Sequence, residues 1–469
     1  MPVSGDRLAV VPRKQRRIVV VANRLPVAWH QKSGEWRTSP GGLVSALTPI
    51  LERTKGTWVG WSGMPDHDLE PFEHSGITQF PVNLSQEEYL DFYVGFCNGT
   101  LWPLYHTAVR APEFHRHWWR PYVEVNQKFA DHAAAELGAG DIAWVQDYQL
   151  QLVPRMLRDE KKIHRIGFYL HIPFPPPELF ATLPWRAEVL DGLLGADVIA
   201  FQSRQSRANF SWSARRIVDA KGTSDHLRWQ GRDIELQVSP IGIDAKSFAE
   251  RARSDEVDAA AARVRSELGD PDVVILGVDR LDYTKGIDQR MRALQTLLER
   301  RPDLTGRVTF IQVAVPSRED VDAYKRIRRD IESLVGRING DFARVGRPPI
   351  HYLHRAISTD DLLAYYRAAD IMLVTPLRDG MNLVAKEYVA TRHDNTGVLI
   401  LSEFAGAAEE LNQAFLVNPY DLDGMAETLE KAIISNPGEP NSQMRSLRRS
   451  VSAHNVFWWA DRCLGALDP

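Results

Sequence analysis

Short apolar runs alternate along this chain with longer amphipathic stretches. In the first half, residues 18–22, 58–61, 142–146, 166–170 and 198–201 are almost continuously apolar. In the second half the same holds for 273–278, 308–313, 371–375 and 398–401. Runs of this length without polar alternation suit parallel strands buried on both faces. Between them, 288–300, 320–335 and 359–369 carry apolar residues at helical spacing. The alternation predicts an α/β protein whose parallel sheets are covered by helices on both faces. Ser239-Pro240-Ile241-Gly242-Ile243-Asp244 punctuates the chain near its middle, and a charged, alanine-rich stretch at 245–268 reads as one helix after it. The expected layout is a flexible basic arm at 1–15, a doubly wound domain at 16–240 and a second at 241–450. A C-terminal segment at 451–469, with the apolar run Val456-Phe457-Trp458-Trp459, is expected to pack back on the first domain.

Two segments follow strands directly and lead into helices. Gly277-Val278-Asp279-Arg280-Leu281-Asp282-Tyr283-Thr284-Lys285-Gly286 is one, and Thr375-Pro376-Leu377-Arg378-Asp379-Gly380-Met381-Asn382-Leu383-Val384-Ala385-Lys386-Glu387 is the other. Ligands of open α/β sheets sit at the carboxyl ends of strands, so Arg280, Lys285, Asp379 and Glu387 are expected to converge on one crevice. Arg offers phosphate a planar fork and Lys a compact charge. Gly380 permits close backbone approach, and the helix that begins through Met381, Asn382, Leu383 and Val384 presents free N–H groups and a positive dipole end. Glu387 lies four residues beyond Leu383, on the same helix face, where a carboxylate would accept both hydroxyls of a ribose. Two cations, a helix N-terminus and two carboxylates suit a sugar nucleotide. Each piece also has an ordinary alternative: a β–α turn capped by Asp379, two surface cations in a loop, a solvated Glu paired with a lysine.

A second set of candidates comes from the first half. Arg24 follows the first strand, and Pro40-Gly41-Gly42-Leu43 is a backbone-permissive turn. Tyr93 and Trp102 bracket Gly95-Phe96-Cys97-Asn98-Gly99, and aromatic faces line sugar sites well, although buried aromatics more often belong to the core. Asp147 ends the strand at 142–146 and His171 the strand at 166–170; the stiff Pro173-Phe174-Pro175-Pro176-Pro177 loop after His171 would hold it in place. Arg318, beyond the strand at 308–313, would bring a further cation to a phosphorylated acceptor. No HExxH, CxxC pair or Asp-x-Asp motif marks a metal site, and the adjacent Asp360 and Asp361 read as a helix-capping cluster. Metal-independent chemistry without a cofactor is expected, with protein cations in place of Mg²⁺.

Composition narrows the class. With 469 residues, 44% apolar and 25% charged, the chain has material for two or three ordinary globular domains. A net charge of −4 exerts no global pull toward nucleic acid or membrane. The basic run Arg13-Lys14-Gln15-Arg16-Arg17 is local. Two cysteines, Cys97 and Cys463, make neither a disulfide framework nor a metal cluster and fit a reducing cytoplasm. No apolar run reaches the roughly 18 residues of a membrane span, and no secretion signal opens the chain. A cytoplasmic enzyme is expected.

The segments around Asn23-Arg24, Gly41-Gly42-Leu43, Tyr93 to Trp102-Pro103, Asp147-Tyr148, His171-Ile172-Pro173-Phe174-Pro175, Arg280-Leu281-Asp282-Tyr283, Lys285-Gly286, Arg318 and Asp379 to Glu387 resemble, in order, those of the trehalose-6-phosphate synthase family. The resemblance spans about residues 16 to 435. It implies a retaining glycosyltransferase of the B-type fold, with two Rossmann-like domains facing each other across a cleft. It also implies transfer of glucose from a nucleotide-glucose donor to glucose 6-phosphate, giving α,α-trehalose 6-phosphate, by a homo-oligomer (dimer or tetramer) that needs no tightly bound metal. Carried over by position, Arg280 and Lys285 would hold the donor diphosphate, and Asp379 and His171 the donor glucose. Glu387 would bind the ribose, Leu383 would add a backbone contact, and Gly42 would close over the donor. Arg24, Tyr93 and Arg318 would hold the acceptor phosphate, and Trp102 and Asp147 its sugar. The chain departs from the family in having Gln146 and Gln149 where many relatives carry histidines, which bears on acceptor choice.

Three rival functions can be weighed on residues. A sister transferase with another phosphorylated acceptor would differ around Tyr93, Trp102 and Asp147. A silent regulatory subunit would have lost Arg280, Lys285 or Glu387, all of which are present. A nucleotide-sugar epimerase or dehydrogenase would want Gly-x-Gly-x-x-Gly after the first strand, where Asn23-Arg24-Leu25-Pro26 stands.

Overall fold

The computed structural model describes residues 16–30, 35–38, 44, 47–48, 51–52, 54–160, 165–318 and 321–468. The arm at 1–15 and the turn containing Gly41 and Gly42 lie outside the described residues.

Two sheets organise the chain. In the first, the neighbouring strands Arg232–Val238, Val198–Phe201, Arg165–Leu170, Ile142–Gln146, Ile18–Arg24, Thr57–Trp61 and Ile77–Pro81 run parallel. Antiparallel edges extend it: His226–Trp229 and Lys221–Gly222 at one end, Phe72–His74 at the other. These edges depart from the all-parallel expectation. They are short and partly polar, as a solvent-facing margin must be, and carry little of the apolar signal that marks a buried strand. The second sheet is parallel throughout, in the order Ile350–Leu353, Val308–Val315, Val273–Arg280, Ile371–Val374, Val398–Ser402, Phe415–Val417.

Each sheet has one place where the order of winding reverses. In the first it falls between Ile18–Arg24 and Ile142–Gln146; in the second, between Val273–Arg280 and Ile371–Val374. Crossover helices leave the sheet on opposite sides there, and a crevice opens outside the carboxyl ends. Arg24 and Asp147 lie at the first such point, and Arg280 and the segment leading to Asp379 at the second.

Several elements differ from the periodicity reading. The stretch at 245–268 is two helices, Ala245–Arg251 and Asp255–Glu267, because Ser254 caps the second by accepting from the Val257 N–H. The helix expected at 320–335 runs Asp322–Phe342. A π-helical segment, Tyr89–Leu101, has no counterpart in the apolar pattern; its wide turns carry Tyr93 and Asn98. The long helix Arg116–Glu136, with Pro121 in its first turns, was also not legible as a period.

Three large clusters of buried side chains fill the layers, and one of them runs through both domains and the C-terminal helix Val456–Leu467. Trp459 on that helix packs against Trp144 and Tyr169 of the first sheet, ring centroids 5.2 Å apart in each case. The linker at 239–244 is held on three sides. The Ile241 N–H donates to Gln202, the Ile241 carbonyl accepts from the buried Lys386 ammonium at 2.8 Å, and the Ile243 carbonyl accepts from Val456 N–H at 3.0 Å.

In the second domain, Arg290 is wholly buried on the helix Ile287–Arg300. Its guanidinium donates to Asp279 at 2.6 Å, Thr375 Oγ1 at 3.0 Å, the Lys285 carbonyl at 2.8 Å and Gln312 Oε1 at 3.3 Å. Removing one partner of a buried ion pair leaves the other uncompensated, at a cost of about 3–5 kcal/mol. Asp279→Ala is therefore expected to lower stability by about that amount, read as a lower midpoint in urea denaturation, with the second domain the first to unfold by hydrogen exchange.

Candidate active site

The two crevices face each other, and charged side chains from both domains meet between them. On the C-terminal side, the strand Val273–Arg280 delivers Arg280, and a single tight turn, Tyr283–Lys285, delivers Lys285. Gly286 ends that turn in the left-handed region at φ 60°, and a Cβ there would lie 2.3 Å from the Thr375 carbonyl oxygen. Lys285 is 8% exposed, and its ammonium donates to Asp379 Oδ2 at 2.6 Å. Burial alone would raise the Asp379 carboxyl; Lys285 and the Asn382 amide at 3.2 Å outweigh it, and the carboxyl stays ionised below its usual range. Asn382, at φ 84°, caps the helix Leu383–Thr391 by accepting from Ala385 N–H. The first-turn amides at Leu383 and Val384 have no intrahelical acceptor by position. Met381 is buried in the core, and its carbonyl accepts from Ala407 N–H. Glu387 lies further along the same helix, where Tyr366 Oη donates to its Oε2 at 2.8 Å. Burial pushes the Glu387 carboxyl upward.

Gly380 lies where the two domains touch. A Cβ on it would come within 2.1 Å of the His171 carbonyl oxygen. The close backbone approach expected of this glycine is thus made by the opposite domain. His171 follows the strand Arg165–Leu170; its backbone N–H donates to Asp147 Oδ1 at 3.1 Å, and burial pushes its imidazole down to about 3. Asp147 takes the unusual backbone angles φ 71°, ψ 172°, a strained state for a non-glycine residue. Burial raises its carboxyl to about 6, against the lowering effect of backbone N–H groups and of Arg280 across the cleft.

The remaining candidates, from the first domain and Arg318 of the second, gather beside these. Arg24 is solvent-exposed at the mouth of the crevice though protein surrounds it, with its guanidinium 4.9 Å from the Trp61 ring. Tyr93 stacks on Tyr89 at 5.8 Å and interacts electrostatically with both Arg24 and Arg318, so the three lie together. Trp102 is 4% exposed and serves as a floor: the Arg318 guanidinium rests 4.0 Å above its ring and that of Arg280 5.6 Å away. The Trp102 indole N–H is buried and meets no acceptor among the described residues. Arg318, at φ 50°, pairs with Asp282 at 3.1 Å and with the Tyr324 hydroxyl, and approaches Tyr148 Oη at 3.4 Å. Of the sequence candidates, Gly42 alone lies outside the described residues.

Sequence reasoning passed over four contributors. Asp282 is fully buried and held near 2 by Arg318, Arg280 and Lys285, which overcome its burial; it lies inside a segment singled out above, but its partner is remote in sequence. Tyr324 Oη donates to Asp282 at 2.9 Å, and nothing in the sequence pattern points to it. His106 stacks on Trp102 at 4.1 Å and is kept neutral, pushed to about 4 by burial. Arg290 reads in sequence as one of many helix cations. Among the described residues no group of three His, Cys, Asp or Glu side chains is placed to hold a metal, and no helix is long and apolar enough to cross a membrane.

This geometry has counterparts. The model of glycosyltransferase family 20 matches residues 16–468. A trehalose-6-phosphate synthase of Mycolicibacterium smegmatis is 50% identical over 461 residues, 96% of this chain and 92% of that one. A Burkholderia xenovorans α,α-trehalose-phosphate synthase (UDP-forming), solved in complex with glucose-6-phosphate, superposes with a TM-score of 0.90 at 34% identity, over 97% of this chain and all of that one. An E. coli structure bound with UDP-2-fluoro glucose gives 0.89 at 36% identity, over 96% and 98%. With two Rossmann-like domains meeting at their switch points and a family match across nearly its whole length, this chain belongs to glycosyltransferase family 20, the trehalose-6-phosphate synthases.

Proposed function

We propose that the protein transfers glucose from a nucleotide-glucose to glucose 6-phosphate, with retention, forming α,α-trehalose 6-phosphate. The observation that carries this reading is the meeting of Arg280, Lys285 and Asp379 with the helix Leu383–Thr391 at one switch point, opposite Arg24 and Tyr93 of the other domain, with Arg318 reaching across to rest on Trp102. The donor lies mainly on the C-terminal domain: diphosphate on Arg280, Lys285 and the Leu383 and Val384 amides, ribose on Glu387, and glucose between Asp379 and His171 of the N-terminal domain. The acceptor lies mainly on the N-terminal domain: phosphate on Arg24 and Tyr93 together with Arg318 of the C-terminal domain, sugar on Asp147 and the Trp102 N–H, which meets no acceptor among the described residues. A Burkholderia relative solved with glucose-6-phosphate and an E. coli relative solved with UDP-2-fluoro glucose support this pair of substrates and favour a uridine donor.

In the reaction, the bond from glucose C1 to the diphosphate oxygen breaks as the acceptor hydroxyl oxygen bonds to C1 on the same face. The acceptor proton passes to the departing phosphate oxygen. Arg280 and Lys285 meet the negative charge that grows on the leaving group. Front-face transfer needs no covalent intermediate on Asp379, whose Oδ2 is engaged by Lys285 and Asn382; a trapped glucosyl-enzyme on Asp147 or Asp379 overturns that step.

The direct test incubates the protein with glucose 6-phosphate and UDP-, ADP- or GDP-glucose, in EDTA, and measures nucleotide release and disaccharide phosphate. Product with UDP-glucose is expected; silence with every donor, with or without Mg²⁺, overturns the reading. Arg280→Ala is expected to lower kcat by about 100- to 1,000-fold, the scale of a lost transition-state charge partner. Arg318→Ala is expected to weaken acceptor binding by about 1.5–3 kcal/mol, seen as a raised KM for glucose 6-phosphate with little change for the donor. Asp147 accepts a hydroxyl more strongly as a carboxylate than as a neutral carboxyl, and burial raises that carboxyl to about 6. Activity should therefore hold above that pH and fall as pH drops through about 6, and Asp147→Asn should remove the inflection.

A further inference from the structure

Gln146 is fully buried at the end of the strand Ile142–Gln146. Its amide Nε2 donates to the Trp144 carbonyl at 3.4 Å, and its Oε1 lies 3.0 Å from His171 Nε2. The first contact decides the second. Turning the amide over would set Oε1 against a carbonyl oxygen, acceptor to acceptor. With Oε1 toward the imidazole, His171 must carry a proton on Nε2. The rings nearest the imidazole are Tyr169 at 4.4 Å and Trp459 at 6.4 Å, and the Asp147 carboxylate engages the His171 backbone rather than the ring. Burial keeps the ring neutral. A neutral imidazole protonated on Nε2 has a lone pair on Nδ1, and no group among the described residues donates to it.

We propose that Gln146 is a positioning residue: it locks His171 in the Nε2–H tautomer, so that Nδ1 is a permanent hydrogen-bond acceptor for a hydroxyl of the transferred sugar. The proposal rests on the reading of His171 as a donor contact given above. It also moves Gln146 from the acceptor side, where its departure from the family pattern suggested a role, to the donor side. A fixed acceptor selects a hydroxyl, which can donate, over a group that only accepts. Arrayed with Asp379, whose carboxylate likewise only accepts, it would read two donor hydroxyls from opposite domains. A buried glutamine suits this task because it has no charge to stabilise an imidazolium, and the tautomer is therefore the same at every working pH.

The test labels histidine with ¹⁵N in the full-length protein, assigns His171 by loss of its signals in His171→Gln, and reads the tautomer from ring couplings. A neutral Nε2–H ring is expected in the unsubstituted protein; an Nδ1–H or doubly protonated ring overturns the proposal, whatever the variants do. Gln146→Leu is expected to give a tautomer mixture and a rise of about five- to tenfold in donor KM, with acceptor KM unchanged. An unaltered tautomer in that variant, or an equal rise in both KM values, would mark Gln146 as merely structural and overturns the proposal. A shifted tautomer with unchanged donor KM would instead strike the donor-contact reading of His171.

Discussion

The Arg290–Asp279 ion pair is sealed from water, and the carboxyl ends of three neighbouring strands are fastened to it. Asp279 immediately precedes Arg280 on one strand, Thr375 opens the segment that leads to Asp379 after the next, and Gln312 lies on a third. The same guanidinium holds the Lys285 carbonyl and so sets the turn that presents its ammonium. Burying two charges is costly, and the cost is offset only where every donor finds an acceptor. Here four acceptors from four places in the chain surround one planar fork. The spacing of Arg280, Lys285 and Asp379 therefore depends on an interaction that none of their side chains makes.

The cleft divides its charges by origin. The second domain supplies Arg280, Lys285 and Arg318, and the first supplies Arg24, Asp147 and the floor made by Trp102. Neither set is complete alone: Arg318 rests on Trp102, Arg280 lowers Asp147, and the His171 carbonyl fills the space above Gly380. Three residues with unusual backbone angles fall in the same place. Asp147, Arg318 and Asn382 all have positive φ, a conformation that non-glycine residues hold only when their surroundings dictate it. The surroundings are visible: Tyr169 accepts from the Asp147 N–H, and the Asn382 side chain is tied to Ala385.

The linker between the domains is neither slack nor isolated. Lys386 lies next to Glu387 on the helix assigned to the donor, and its ammonium holds the linker carbonyl at Ile241 while pairing with Glu410. The C-terminal helix starts against Ile243 and ends against the first sheet, with Leu467 beside Gly167. The connection between the domains is thus buried, hydrogen-bonded and tied to the helix bearing Glu387.

The strands at 142–146 and 198–201 were legible in the sequence to the residue, because a strand buried on both faces tolerates almost no polar position. The motifs at their carboxyl ends followed, since strand ends in wound sheets are where side chains reach a crevice. Local order, with the family resemblance, thereby determined the fold class and the family, and it singled out Arg24, Asp147, His171, Arg280, Lys285 and Asp379 as candidates. Only the tertiary structure decided what each of these touches. The π-helical turns that carry Tyr93, the Asp282–Tyr324–Arg318 cluster, the burial of Trp102 beneath two guanidiniums and the turn of Gln146 toward His171 join residues remote in sequence. Their pKa shifts and orientations come from burial and distance, which a linear pattern does not contain.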